Sequence, residues 1–189
     1  IEQLTTAGFE AVVVGGCVRD LLLHVKPADW DVATNARPEE IQRVFPESVY
    51  ENQFGTVGVK TGSDESTLAI VEVTTYRVDE SYSDQRHPDR VRFTKNLEED
   101  LARRDFTINA MAIKIKKGDP SLALRMTSGE DYEIVDPFGG QSDLERKVIR
   151  AVGESAKRFQ EDALRLMRAV RLATQLEFSI EPKTAQAIS

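Results

Sequence analysis

The sequence predicts an α+β protein in two parts, and three observations carry that prediction. Short apolar, β-branched runs separated by polar turns fill the chain up to Asp136. Beyond the stretch Asp136-Pro137-Phe138-Gly139-Gly140 the pattern turns mainly helical. One apolar stripe at helical spacing, Phe159, Ala163, Leu166, Val170 and Ala173, then runs through residues 155–175. The expected division is 1–137 for the first part and 138–189 for the second.

Glu10 to Val14 reads as a buried strand ended by Gly15-Gly16. Residues 17–25 read as a short helix with Val18, Leu21, Leu22 and Val25 on its core face. Asp31 to Thr34 is a second strand. Asn35 to Phe45 is a helix, with Pro38 near its start and Glu39-Glu40 in its first turn. Thr56 to Thr61 and Leu68 to Tyr76 are strands joined by the polar turn Gly62 to Ser66. Arg77 to Arg90 is long, polar and without period, and reads as a mobile loop. Val91 to Phe93 is a short strand. A helical pattern from Leu97 to about Ala112 is expected to break near Asp105. Met111 to Ile115 and Tyr132 to Val135 are further strands. Ser155 to Gln175 is the strongest helix, and the closing Glu181 to Ser189 reads as the first turns of another. That ending, and a start at Ile1 rather than Met, lead us to expect a piece of a longer protein.

Composition excludes several classes. With 189 residues, 40% hydrophobic and 30% charged, the chain fits a soluble protein with one sizeable core and part of a second. No apolar run approaches a membrane span, and the N-terminus lacks a signal-peptide pattern. The single Cys17 rules out an internal disulfide framework and fits a reducing cytoplasm; as a side chain it reads as a small buried filler. One Cys and two His, His24 and His87, argue against structural zinc. A net charge of −7 argues against nonspecific coating of nucleic acid, although a local basic face is compatible with it.

Five stretches carry chemistry. In Pro27-Ala28-Asp29-Trp30-Asp31, two carboxylates stand one residue apart. In a strand they share a face, and like charges that close repel unless a cation lies between them; a solvated turn is the plainer alternative. Ten residues upstream, Val12-Val13-Val14-Gly15-Gly16-Cys17-Val18-Arg19-Asp20 takes a strand through a Gly-Gly turn into a helix. Free N–H groups at a helix start favour an anion, and Arg19 in the first turn can clamp a phosphate. The stretch is neither a Walker loop nor a dinucleotide fingerprint. Glu72 interrupts an apolar strand; it either faces solvent or joins Asp29 and Asp31 around Mg²⁺, which takes oxygen ligands. In Leu101 to Ala112, Arg103, Arg104, Asp105 and Asn109 fall within two helical turns, as surface ion pairs or as a site. Finally, Glu161, Asp162, Arg165 and Arg168 share one polar arc. From Arg146 to Arg171 eight basic side chains stand against three acidic ones, a local +5. Such a face is ordinarily solvated, yet a fixed Asp beside an Arg also offers acceptor and donors to a base edge.

In this order the stretches resemble the class II tRNA nucleotidyltransferases, the CCA-adding enzymes and bacterial poly(A) polymerases of the DNA polymerase beta superfamily. The resemblance covers nearly the whole chain; the body and tail domains usual in that family are not expected within these 189 residues. It implies a polymerase beta-like head with a mixed β-sheet flanked by helices, followed by the start of an all-α neck. It implies Asp29 and Asp31 as Mg²⁺ ligands, with Gly15, Gly16 and Arg19 receiving phosphates. Arg104 would join them, with Asn109 near the ribose. Asp162 and Arg165 would select the base, and Arg168 and Arg171 would contact the nucleotide. Asp136 to Leu144 is similar to the family's hinge. The expected partners are CTP, ATP and the 3′ end of tRNA, in the cytoplasm. The intact Arg77 to Arg90 stretch favours CCA or A addition over CC-only addition; polyadenylation, or an inactive RNA- or nucleotide-binding module, are the other readings.

Overall fold

A computed structural model describes residues 1–52, 54–116 and 132–188. Its first part is built on a mixed sheet of seven strands. In chain order they are β1 (Ala11–Val14), β2 (Asp31–Thr34), β3 (Ser48–Asn52), β4 (Thr56–Lys60), β5 (Ile70–Thr75), β8 (Ala112–Ile115) and β9 (Tyr132–Val135), arranged β3-β4-β5-β2-β1-β8-β9. Only β2 and β5 run parallel among the paired neighbours. β6 (Arg77–Glu80) and β7 (Arg90–Phe93) form a separate antiparallel ribbon.

β1 is buried along its whole length, which explains its unbroken apolar run. Val12 and Val14 meet Ala33, Tyr76, Leu97 and Leu101 on one face. Val13 meets Cys17, Val18, Trp30 and Phe106 on the other. That second cluster continues into Leu144, Ile149, Phe159, Ala169, Leu172 and Phe178, so the helical part packs onto the sheet through a shared core. Burying side chains of this size contributes about 1.5–3 kcal/mol each.

The helices are short: α1 (Glu2–Thr6), α2 (Gly16–Leu22), α3 (Pro38–Val44), α4 (Ser66–Ala69), α5 (Leu97–Ala102), α6 (Gly140–Glu145), α7 (Ser155–Glu161), α8 (Leu164–Leu176) and α9 (Pro182–Gln186). A 3₁₀ turn follows α5 at Thr107–Asn109. In α3, Pro38 stands in the first turn and the Glu40 carboxylate accepts from the Arg37 N–H at 2.8 Å, which closes the helix start. β10 (Val148–Ile149) and β11 (Ser179–Ile180) form a small parallel pair in the second part.

Four expectations need correction. Arg77 to Arg90 is a loop only over 81–89; its two ends belong to the β6–β7 ribbon, whose strands are polar because a two-stranded ribbon has no core to cover. Leu68 and Ala69 belong to the helical turn α4, and the strand begins at Ile70. The expected helix over 155–175 is two helices, because Asp162 is extended at φ −144°, ψ 106°. That break resets the phase: Arg165, Ala169 and Leu172 face inward in α8, while Ala163 and Val170 of the expected stripe are exposed. Val25 lies beyond α2 and is exposed. β3 was not anticipated.

α6 is seated on the 3₁₀ turn. The buried Asp143 accepts from the Thr107 hydroxyl at 2.6 Å and from Arg150 Nε at 2.7 Å. Gly140 permits this contact, since a Cβ there would collide with the Thr107 carbonyl and come within 2.8 Å of Met111 Sδ. We expect Gly140→Ala to lower stability by about 1–3 kcal/mol, the usual cost of overpacking. A urea titration showing an unchanged midpoint would contradict this packing.

Candidate active site

Strand register assembles the site at one end of the sheet. Asp31 opens β2 and pairs with Val14, the last residue of β1. The chain leaves β1 through Gly15 and Gly16, so the Gly-Gly turn begins beside Asp31. Ala112 also pairs with Val14, which brings the segment before β8, with Arg104 and Asn109, to the same end. α7 and α8 cover this end from the other side through the shared core. Between them lies a cleft of about 410 Å³.

The cleft is lined by Gly15, Gly16, Arg19, Asp29, Asp31, Arg104, Asn109, Asp162, Arg165, Arg168 and Arg171. The structure thus brings together eleven of the twelve residues given a metal- or nucleotide-binding role from the sequence. Glu72 is the exception: it stands beside Asp31 in the β2–β5 register, exposed, and does not line the cleft.

Gly15 has φ +83°, and a Cβ there would sit 3.0 Å from Asp31 Oδ2 and 3.1 Å from Arg104 Nη1. The backbone conformation requires glycine, and a Cβ would press on both side chains. Arg19 is held from two sides: Nε donates to Asp20 Oδ1 at 2.8 Å and Nη1 to Asn109 Oδ1 at 2.9 Å. Asn109 in turn donates to Asp105 Oδ1 at 3.4 Å. Arg168 Nη2 reaches the same aspartate at 2.8 Å from Oδ2. The arginine of the first motif and that of the last are therefore joined through Asn109 and Asp105.

Asp29 precedes β2 and is exposed, whereas Asp31 is half-buried. Burial pushes the Asp31 carboxyl above the usual range; the Arg104 guanidinium opposes this and the Asp29 charge adds to it. This is the electrostatic state of a carboxylate pair that gains from a hard cation. Both side chains offer only oxygen, so the pair fits Mg²⁺. Among the described residues, no group of three or more His, Cys, Asp or Glu side chains is close enough to hold a metal.

Arg165 is buried, and its Nη1 donates to Glu161 Oε2 at 2.8 Å and to the Arg158 carbonyl at 3.1 Å. Asp162 sits at the break before α8. Its Oδ1 accepts from the Leu164 N–H at 2.9 Å, and its Oδ2 lies 3.9 Å from Arg165 Nε. The two side chains are neighbours across a helix start rather than along one helix. The loop of the β6–β7 ribbon reaches this point, where the Gln85 carbonyl accepts from the Ala163 N–H at 2.8 Å.

Sequence reasoning assigned no role to four polar residues of the cleft, Arg77, Asp79, Tyr82 and Arg86, and left Arg103 and Asp105 as ion pairs or part of a site. The signal for the first two was available. Arg77 and Asp79 alternate along a strand and share its face, and they pair at 3.0 Å. Reading the segment as a loop concealed that period.

Cys17, beside the Gly-Gly turn, is a filler as expected. Its Sγ donates to the Val14 carbonyl at 3.0 Å, and burial pushes the thiol up to about 11. Because only the thiolate reacts, alkylation at pH 8 should be at least ~100-fold slower in the native protein than in urea. Comparable rates in the two states would place Cys17 at the surface.

The carboxylate pair and glycine turn at the end of this mixed sheet mark the polymerase beta-like class of nucleotidyltransferase folds. Within that class the chain belongs to the poly(A) polymerase head domain family, whose model matches residues 11–150. It is 50% identical over 189 residues to the CCA-adding enzyme of Lactobacillus delbrueckii subsp. bulgaricus, covering 100% of this chain and 43% of that protein. A crystal structure of the Bacillus stearothermophilus CCA-adding enzyme in complex with CTP matches 99% of this chain and 40% of its own, with TM-score 0.80 and 42% identity. The Thermotoga maritima CCA-adding enzyme complexed with tRNA matches 98% of this chain and 38% of its own, with TM-score 0.69 and 28% identity. The chain therefore spans less than half the length of the relatives it matches.

Proposed function

We propose that this chain is the catalytic head, with the first helices of the neck, of a template-independent RNA nucleotidyltransferase. The reaction adds CMP and AMP from CTP and ATP to the 3′ end of tRNA. The observation that carries this reading is the single cleft into which the carboxylate pair, the Gly-Gly turn and the arginines of four separate sequence stretches converge. The relatives' names, and the CTP and tRNA in two of their structures, support the same substrates. The boundary at 137/138 belongs to this proposal; the seven-stranded sheet closes with β9, just before it.

Asp29 and Asp31 would hold Mg²⁺. Bound there, the ion would supply Lewis-acid activation of the RNA 3′-hydroxyl and neutralise charge on the leaving pyrophosphate. The protein's own groups bind and orient. The N–H groups of the Gly15-Gly16 turn and the Arg19 guanidinium receive the triphosphate, and Arg19 is already aimed by Asp20 and Asn109. Arg104 adds positive charge beside Asp31. Asn109 lies toward the ribose. Asp162 and Arg165 meet the base edge, while Arg168 and Arg171 border the nucleotide. Glu72 enters this reading only through its place beside Asp31 in the sheet. Most of the rate enhancement then comes from positioning and from charge already in place.

No helix among the described residues is long and apolar enough to cross a membrane. A cytoplasmic location, where tRNA and nucleoside triphosphates meet, is part of the proposal. The test offers tRNAs lacking the last one, two or three nucleotides to the full-length protein, with labelled CTP or ATP. CCA addition requires C on the two shorter substrates and A on the longest. A-only, CC-only or repeated A addition would each redirect the proposal, and no incorporation of any nucleotide would sink it.

A further inference from the structure

Behind the arginines of the cleft stands a carboxylate outside every motif discussed above. Asp100, on α5, is 0% exposed. Its Oδ1 accepts from Arg103 Nε at 3.0 Å and from the Arg77 backbone N–H at 3.2 Å. Its Oδ2 accepts from Arg104 Nη2 at 3.2 Å. Burial would raise the Asp100 carboxyl, but Arg103, Arg104 and the Arg77 N–H together hold it below the ordinary carboxylate range. It is therefore ionised while buried, which only its donors make tolerable.

The three arginines around it are not equivalent. Arg77 and Arg103 also meet a second carboxylate, Asp79, at 3.0 and 3.7 Å, and are committed to protein partners. Arg104 has Asp100 as its one ion-pair partner among the described residues. Its Nη1 points to the corner formed by Gly15 and Asp31, and its buried Nε has no hydrogen-bond partner. Three guanidiniums against two carboxylates leave one positive charge in this cluster, and Arg104 is the member that carries it to the cleft. Without an anchor at Nη2, a long side chain with this much rotamer freedom would not hold one direction.

We infer that Asp100 is a positioning residue, which fixes Arg104 against the Gly15–Asp31 corner and ties it, through the Arg77 N–H, to the β6–β7 ribbon. The inference rests on the nucleotide reading of the cleft given above. Asp100 touches no substrate in this account and acts through Arg104. A merely structural Asp100 would neutralise Arg103 and leave ligand affinity unaffected except through unfolding.

A double-mutant cycle separates these roles. CTP affinity in the presence of Mg²⁺ is measured by equilibrium dialysis for the unmodified full-length protein and for its Asp100→Asn, Arg104→Ala and double variants. Melting temperatures are recorded in parallel. The expected result is a loss of about tenfold for Asp100→Asn and at least as much for Arg104→Ala. The double variant should lie within about twofold of Arg104→Ala, because residues acting through one contact are non-additive. Asp100→Glu, which keeps the charge but displaces it, runs the same cycle should the Asn variant not fold. Losses that multiply in the double variant, or an Asp100→Asn chain that binds CTP normally, would overturn the inference alone. Unmodified full-length protein that binds no CTP would overturn the proposed function and the inference with it.

Discussion

Asp31→Ala is expected to abolish nucleotidyl transfer while leaving the fold intact. Asp31 opens β2 at the point where β1 delivers the Gly-Gly turn, so its carboxylate cannot be replaced from a neighbouring position. In the proposed reaction its loss removes one of two anchors of the Mg²⁺ ion. Several kcal/mol of transition-state stabilisation should go with it, about a thousandfold or more in kcat. Stability should move the other way or not at all. The folded protein holds this carboxyl above its ordinary range, through burial and Asp29 against the opposing Arg104. A raised carboxyl pKa means that the ionised form is less favoured folded than unfolded, so above the unfolded pKa the charge costs stability, and removing it relieves that cost. The measurement is single-turnover transfer beside a thermal melt. A variant retaining more than about a tenth of wild-type kcat, a deficit of only ~1.4 kcal/mol, would show that the pair is not the metal site.

The second large effect concerns base choice. Asp162→Ala should lose the rejection of UTP and GTP while still transferring C or A. Asp162 is fixed by the Leu164 N–H and faces the cleft at the break between α7 and α8. A fixed carboxylate accepts from the exocyclic amino group that C and A both carry. U and G present a carbonyl at the matching edge, which the carboxylate disfavours. Because a site built for one hydrogen-bond pattern leaves buried groups unpaired with the wrong partner, discrimination can reach about 10⁴–10⁵. Arg165→Ala should weaken both CTP and ATP without creating a new preference, since Glu161 and the Arg158 carbonyl hold that side chain in one place. Competition between labelled CTP and UTP reads the result directly. Full discrimination by an active Asp162→Ala variant would mean that this face of the helix is only solvated.

The predicted elements held where a local pattern had one physical cause. β1 and β2 are buried on both faces, and their apolar runs say so. The pattern failed where a break or a partner outside the window decided. Nothing in the spacing of Phe159 to Ala173 announces the extended Asp162, yet one residue out of helix shifts every later side chain around the axis. The polar composition of Arg77 to Arg90 conceals a ribbon whose stability comes from Asp100, which holds the Arg77 N–H, and from contacts across the cleft.

By itself, the sequence determined which residue types could do chemistry here: oxygen-only ligands in Asp29 and Asp31, a glycine turn leading into a helix, and arginines placed near aspartates. Those properties depend on side-chain chemistry and short spacing, which the order of residues contains. Only the tertiary structure decided that they form one site. The antiparallel register of β1 with β2 and β8 puts Asp31, Gly15 and Arg104 at the same sheet end. A core running from Val13 to Phe178 then brings Asp162 and Arg165 over it. The tertiary structure also chose which charges remain available. Asp79 engages Arg77 and Arg103, and Asp100 engages Arg103 and Nη2 of Arg104, whose Nη1 turns toward the Gly15–Asp31 corner. A buried charge is set by the groups that surround it in space, and strand register together with core packing chooses those groups from distant parts of the chain.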